Sequence, residues 1–371
     1  MLDHIGLENF KAFDDVEIEL GALTLLSGLN GSGKSTILQA LGLLRQSFDG
    51  RFLLDGSLVL NGDLVELGTG RDVLYQQFEK PEIAVTLGQR IDDVDQVYRW
   101  RAPAGSDVDV LPCTVTPESG KLPLLDLFSH GFQFLRADRI TPAVTFPKSQ
   151  NAVRQQLFLG ARGEFTAHFL LEFGEQIVTA DIMRHPDESK AVSLIAQVNA
   201  WMQEFSPGVR VEPASVPMTD LVRLVFSYRG EGAAYGDVLR PTNVGFGLTH
   251  ALPVVTACLA ANPGALLIVE NPEAQLHPRG QSTIGSLLAL TAANGVQVII
   301  ETHSDHVLNG IRLAVKDGLL PPELARLHFF SRQRGKASSY ETPMLGPDGR
   351  LSYWPAGFFD QWERSLDRLL D

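Results

Sequence analysis

The run Gly28-Leu-Asn-Gly-Ser-Gly-Lys-Ser35 constrains this chain more than any other feature, because it makes physical sense only as a loop joining a buried strand to a helix. Leu23, Leu25 and Leu26 precede it as an apolar strand, and Ile37, Leu38, Leu41 and Leu44 follow at helical spacing. Gly28, Gly31 and Gly33 allow tight turns that aim backbone N–H groups inward. The helix N-terminus adds partial positive charge, the Lys34 ammonium can reach terminal phosphates, and the Ser35 hydroxyl can hold Mg2+. Asn30, Gly31, Ser32, Gly33, Lys34, Ser35 and Thr36 are therefore the candidate phosphate-binding set. An ordinary glycine-rich turn would leave Lys and Ser after the third glycine unexplained.

The chain has 371 residues, 44% apolar and 20% charged, which suits a globular protein with a substantial core. Its longest apolar stretches, 252–261 and 265–269, are too short for a membrane span, so no membrane association is expected. Met1-Leu-Asp-His4 lacks a basic n-region, and Cys113 and Cys258 stand far apart. Both features predict a reduced, cytoplasmic setting without a secretory signal. A formal net charge of −13 argues against a protein that mainly wraps nucleic acid. Arg136, Arg139, Arg154 and Arg162, and separately Arg326, Arg332, Arg334 and Lys336, read either as local basic patches or as ordinary surface within the protein.

Leu2, Ile5 and Leu7 predict an edge strand, and Val16, Ile18 and Leu20 a second strand. After the loop and its helix, 83–87 and 97–100 predict short antiparallel strands, 103–123 a loop or insert, and 132–135 a further strand. From about residue 151 the character changes. Leu194, Ile195, Val198, Trp201, Met202 and Phe205 share a helical face, and Val222, Leu224 and Phe226 alternate as in a strand. The expected division is one head made of 1–145, an inserted lobe at 146–240 that is mainly helical with a strand pair, and 241–371. No sustained heptad supports a coiled-coil arm.

Residues 265–269 and 296–300 are continuous apolar runs of the kind that fill central parallel strands, with a helix over 278–293 between them. A right-handed crossover then puts Glu270 and Glu301 at the carboxyl ends of neighbouring strands, the edge where such sheets bind ligands. Glu270 is placed to organise Mg2+ through water. Glu273 can polarise an attacking water, or serve as an acid near a helix N-terminus. His303 can sense a γ-phosphate, or be a satisfied strand-end histidine; a metal cluster of His277, His303, Asp305 and His306 lacks standard ligand spacing. Gly245 and Gly247, in Asn243-Val-Gly-Phe-Gly-Leu-Thr249, open a long apolar helix and form a second anion site. One nucleotide does not need both helix starts, so the second is expected to serve a nucleotide held by another subunit.

The order Asn9-Phe-Lys-Ala-Phe13, the phosphate loop, the glycine-bearing helix start, Glu270-Asn-Pro-Glu-Ala-Gln-Leu-His-Pro278 and Glu301-Thr-His-Ser304 resembles the ABC-type ATPase class, which includes SMC proteins and the ATPase half of OLD proteins. Glu270–Pro278 together with Trp354-Pro-Ala-Gly-Phe-Phe-Asp360 is similar to bacterial AAA family ATPases carrying a DUF3696 C-terminal domain. The resemblance implies an α/β fold of the P-loop NTPase, ABC-ATPase type: a central mostly parallel sheet, an antiparallel β subdomain and the inserted lobe. It implies a head-to-tail homodimer with two ATPs at the interface. In it Lys34 and Ser35 bind phosphate and Mg2+, Glu270 is the Walker B acid, Gly245 and Gly247 belong to the signature, His303 is the switch histidine, and Asn9–Phe13 lies near the adenine or ribose.

Two departures qualify that picture. Asn271 stands where relatives place the catalytic glutamate, so either Glu273 supplies the base or hydrolysis is slow and ATP acts as a dimer clamp. The Q-loop glutamine has three candidates, Gln46, Gln76 and Gln77. OLD proteins add a nuclease module, for which the stretch after His303 is expected to be too short. The leading expectation is a cytosolic ATP-binding and hydrolysing switch that gates a separately encoded nuclease or toxin, with bacterial antiphage defence as the family setting. The alternatives are an SMC-like ATPase of DNA repair or chromosome structure that contacts DNA directly, and a nucleotide sensor with negligible turnover. A transporter subunit is disfavoured by Asn9–Phe13 and the Trp354–Asp360 tail.

Overall fold

The computed structural model describes residues 1–91, 94–117, 125–230, 236–333, 336–355, 357 and 369. The chain opens with β1 (His4–Phe10), β2 (Phe13–Glu19), β3 (Leu23–Gly28), α1 (Lys34–Asp49) and β4 (Ser57–Val59), followed by β5 (Glu82–Ile91), β6 (Val94–Pro103) and β7 (Val110–Pro112). Next come β8 (Gln133–Leu135), β9 (Thr145–Pro147), α2 (Thr166–Phe173), α3 (Leu194–Met202), β10 (Val209–Ser215) and β11 (Leu221–Tyr228). The remaining elements are α4 (Phe246–Ala260), β12 (Leu266–Glu270), α5 (Pro278–Ala293), β13 (Gln297–Glu301), α6 (Asp305–Lys316), β14 (Ala325–Ser331) and β15 (Ser339–Glu341). Two compact units result, 1–129 with 322–346 and 350–371, and 130–321 with 347–349.

In the first unit β1 is an interior strand, not the edge strand its sequence predicts. β2 pairs with it antiparallel on one side and β5 on the other, giving the order β2-β1-β5-β6. The reason is legible in burial: Ile5, Leu7 and Phe10 are all fully buried, and an edge position would leave one flank of that backbone without partners. The β5–β6 hairpin is also longer than expected, with ten residue pairs from Glu82↔Pro103 to Ile91↔Val94. β3 is buried along its whole length and runs parallel to β14, Leu23–Gly28 against Ala325–Phe330. Ile37, Leu38, Leu41 and Leu44 of α1 are all buried, each contributing roughly 1.5–3 kcal/mol of apolar burial. Within the predicted 103–123 loop, β7 forms by pairing with β4, and 118–123 lie outside the described residues.

In the second unit β13, β12 and β8 run parallel in that order, and α5 makes the crossover from β12 to β13. Leu266–Val269 and Gln297–Glu301 are buried without alternation, as central strands covered on both faces should be. The register sets Glu270 opposite Glu301. The predicted strand pair gains β9 as a third strand, in the order β10-β11-β9. Leu194, Val198, Trp201 and Met202 of α3 are buried as expected, whereas Phe205 falls in the turns after the helix. Among the described residues no helix is long and apolar enough to cross a membrane.

Candidate nucleotide-binding site

In the first unit the loop after β3 carries three glycines at positive φ, Gly28 at 137°, Gly31 at 74° and Gly33 at 103°. Two of them are also required for space. A Cβ on Gly28 would lie 2.1 Å from the Phe330 carbonyl oxygen of β14, and one on Gly33 would lie 2.7 Å from Phe13 Cζ. The hairpin turn between β1 and β2 thus rests on the loop, with Asn9 and Lys11 themselves at φ 49° and 51°. Lys34 is 3% exposed, and its ammonium donates to the carbonyls of Gly28 (3.0 Å) and Leu29 (2.9 Å). That places a positive charge against the backbone of the loop, at the N-terminus of the sixteen-residue α1. Asn30 and Gly31 are exposed, while Ser32 and Thr36 are buried. The Lys11 ammonium donates to Gln39 Oε1 (2.7 Å), and burial depresses its pKa.

Gln46 does structural work: its amide donates to the Val59 carbonyl (2.6 Å) and accepts from the Val65 N–H (3.0 Å). Gln76 and Gln77 are exposed.

In the second unit the end of β12 gathers four of the candidate residues. The Glu270 carboxylate accepts the Ala137 N–H at 3.0 Å, and burial raises its pKa against the opposing pull of that hydrogen bond and of Arg136 and Arg139. Asn271 reverses the chain at φ 44° and donates its N–H to the Glu301 carbonyl of β13 (2.8 Å). Glu273 Oε1 accepts the His303 N–H (2.9 Å), so the acidic turn and the start of the segment after β13 are joined directly. A second tie runs through Gln281 of α5. Its amide donates to the Leu276 carbonyl (2.8 Å) and its oxygen accepts from Ser304 Oγ (2.6 Å), the same hydroxyl that caps α6. Gly245 is the exposed N-cap of the fifteen-residue α4. Gly247 sits where a Cβ would meet the Gln275 carbonyl oxygen at 2.5 Å, which brings the glycine-bearing helix start beside the acidic turn.

The basic stretch after β8 divides: Arg154 and Arg162 are exposed and ion-paired, whereas Arg139 is buried. Arg139 is 2% exposed; its guanidinium donates to the carbonyls of Glu270 (2.8 Å), Asn271 (2.5 Å) and Arg136 (3.2 Å). Burial pulls its pKa down to about 10, with Glu273, Glu270 and Asp138 pulling it back up. Arg136 and Arg162 pair with Asp138, and Arg154 with Glu172. The sequence shows the arginines but not the role of Arg139, whose carbonyl partners Glu270 and Asn271 lie 131 and 132 residues away. In the other basic stretch Arg326 pairs with Glu19, and Arg334 lies outside the described residues, as do parts of Trp354–Asp360. Among the described residues no group of three or more His, Cys, Asp or Glu side chains is placed to hold a metal ion, and His277, His303, Asp305 and His306 form no such group.

Three family models match. Residues 1–93 match an AAA ATPase domain, 135–309 an AAA domain described as a putative AbiEii toxin of a type IV toxin–antitoxin system, and 320–369 the DUF3696 family, a protein of unknown function. The OLD nuclease of Thermus scotoductus is 43% identical over 325 residues, which are 82% of this chain and 59% of that protein. The arabinose import ATP-binding protein AraG of Vibrio parahaemolyticus is 34% identical over 93 residues, 24% of this chain and 17% of that one. The chain thus spans less than two thirds of the length of these relatives. Among solved structures, an SMC head bound to the C-winged helix domain of ScpA superposes with a TM-score of 0.53 at 14% identity, covering 93% of this chain and 98% of the head. A second SMC head, bound to the C-terminal domain of ScpA derived from Pyrococcus furiosus, gives the same TM-score and identity over 100% and 99% of the two chains. At such low identity these heads speak to the fold alone, an α/β P-loop ATPase fold with mostly parallel central strands and separate antiparallel sheets. With the phosphate loop and the paired acidic strand ends, the chain has the features of an AAA ATPase: it matches AAA ATPase domain models over 1–93 and 135–309 and a DUF3696 model over 320–369, and it is similar to an OLD protein.

Proposed function

We propose that this chain binds ATP with Mg2+, hydrolyses it, and works in the cytoplasm as a homodimeric switch that gates a separately encoded effector, a nuclease or a toxin, in bacterial antiphage defence. The observation that carries the nucleotide reading is the buried Lys34 ammonium, held by two carbonyls of a loop with three left-handed glycines. Phosphate oxygens are better acceptors for that cation than the carbonyls it now uses. The Ser35 hydroxyl and the Glu270 carboxylate are hard oxygen donors that suit Mg2+, an ion that keeps most of its own water. When bound, Mg2+ supplies charge neutralisation at the phosphates. Asn30–Thr36 cradle the phosphates, and Gly245 and Gly247 present the start of α4 to the ATP of the other protomer. His303 contacts the γ-phosphate, and Glu273 accepts the proton of the attacking water. Asn271 orients that water, since an amide cannot take the proton. Residues 146–240 form the inserted lobe between the 1–145 and 241–371 parts of one head. The nuclease and toxin descriptions of the relatives support the choice of effector class.

Asn271 also favours a second reading, in which turnover is negligible and ATP acts only as a clamp. Calorimetry with Mg-ATP, phosphate release and light scattering on purified protein separate these. The main reading expects saturable binding that Lys34→Ala abolishes, measurable phosphate release, and a dimer trapped by ATP in Glu273→Gln. Binding and dimerisation without phosphate release select the clamp. A protein that stays monomeric in excess Mg-ATP after Glu273→Gln overturns both. A change in phosphate release on adding the product of a neighbouring gene tests the effector, and plaque counts on cells carrying both genes test the setting.

A further inference from the structure

We propose that Arg139 is a positioning residue for the acidic turn, holding the carbonyls of Glu270 and Asn271 so that the Glu270 carboxylate and the Asn271 and Glu273 side chains keep the geometry that metal-dependent turnover requires. The inference rests on the ATPase reading above and adds to it the residue that sets the site's shape.

Asn271 has φ 44°, a conformation that a non-glycine residue holds only when its surroundings impose it. Its N–H is secured by the Glu301 carbonyl, but a reversed peptide also turns its carbonyl away from the β12 ladder. Arg139 supplies the missing donors. One guanidinium nitrogen reaches Glu270 O at 2.8 Å and Arg136 O at 3.2 Å, and the other reaches Asn271 O at 2.5 Å. The planar fork thus fixes two successive carbonyls across the reversal, a geometry lysine cannot reproduce. The same loop delivers the Ala137 N–H to the Glu270 carboxylate at 3.0 Å. Backbone and side chain of Glu270 are therefore both held by the four residues after β8.

A purely structural device would not need a charge here. The two carbonyls of the turn can be satisfied by a neutral amide, leaving only that of Arg136, whereas burying a guanidinium carries a desolvation penalty. The charge is retained where three carboxylates, Glu273, Glu270 and Asp138, act on it, and it counterbalances them. Asn271 Oδ1 and Glu273 Oε2 are buried without hydrogen-bond partners among the described residues. Two buried, unsatisfied acceptors two residues apart on one turn are what a held water would require. Loss of the fork would let the turn relax and disperse them.

The test compares Arg139→Lys, which keeps the charge but not the fork, and Arg139→Met, which keeps neither, with the wild type. Three quantities are read: ATP affinity in EDTA, ATP affinity in Mg2+, and phosphate release per bound nucleotide. The expected result is ATP affinity in EDTA within about threefold of wild type for both variants. The gain in affinity given by Mg2+ shrinks by about fivefold or more, and phosphate release per bound nucleotide falls about tenfold in Arg139→Lys and further in Arg139→Met. If Arg139 only supports the fold, the folded, ATP-competent fraction drops while the Mg2+ gain and the rate per bound nucleotide stay at wild-type values, and the proposal is overturned. Should the wild type release no phosphate, the Mg2+ gain alone decides it. A wild type that binds no ATP overturns the nucleotide reading and this inference together, an outcome distinct from variants that behave like a functional wild type.

Discussion

The phosphate loop of the first unit and the acidic turn of the second are assembled in opposite ways. The loop is made by consecutive residues. Its glycines set the path, its own carbonyls hold Lys34, and α1 begins where it ends. The turn after β12 depends on distant chain: Arg139 reaches it from 131 residues away, Ala137 from 133, and His303 from 30. A site built locally survives substitutions elsewhere and fails when its own residues change. A site built from distant parts can be damaged from several places, and can also be adjusted from several places.

Experiments that strip each region in turn should expose this difference. The largest effect is expected from Lys34→Ala, which removes a buried charge-assisted contact; Mg-ATP affinity in calorimetry should fall at least about a hundredfold. Retention of affinity would mean that the loop is not the nucleotide's main holder. Glu273→Gln should lower phosphate release by about a hundredfold while leaving ATP binding intact and enriching the dimer. Hydrolysis at the wild-type rate would remove Glu273 from the base position. Gly28→Ala places a methyl against Phe330 O and forces φ 137° on a residue with a Cβ. A loss of about 3 kcal/mol in chemical denaturation is expected, and an unchanged midpoint would show that the loop can re-route. Gln281→Ala unties the acidic turn from the α6 cap at a cost of about 1 kcal/mol, with turnover falling only a few-fold.

The smallest predicted effect is on pH. Burial holds His328 in the first unit and His168 in the second below the ordinary histidine range. Each is therefore neutral in the folded state at a pH where the unfolded chain already binds a proton. Their contribution to stability is complete above about pH 6.5 and is lost as pH falls toward their folded values. Melting temperatures at pH 7.5 and 5.5 check this. The difference should narrow in His328→Gln, and an unchanged difference would locate the acid sensitivity elsewhere.

What could be read from the sequence follows the same division. The loop, the buried runs of β12 and β13, and the register that sets Glu270 beside Glu301 were legible because each follows from local pattern or from the single crossover rule. The interior place of β1 was not, since its periodicity is the same whether one neighbour or two flank it. Nor was the burial of Arg139: four arginines close in sequence look alike until the fold decides which of them meets a carbonyl and which meets Asp138 or Glu172. Phe205 keeps helical spacing with α3 yet lies beyond its end, because spacing alone carries no stop signal.

The position of Lys34 has a thermodynamic consequence. Its ammonium is stripped of most bulk water by the fold itself, so the penalty for dehydrating that charge is incurred once, when the chain folds, and not again at each encounter with a ligand. An incoming triphosphate then trades places with backbone carbonyls, those of Gly28 and Leu29 among them, instead of ordering a floppy cation. Association should consequently show a small entropic loss and leave the loop's shape nearly unchanged, which suits a pocket that must empty and refill repeatedly.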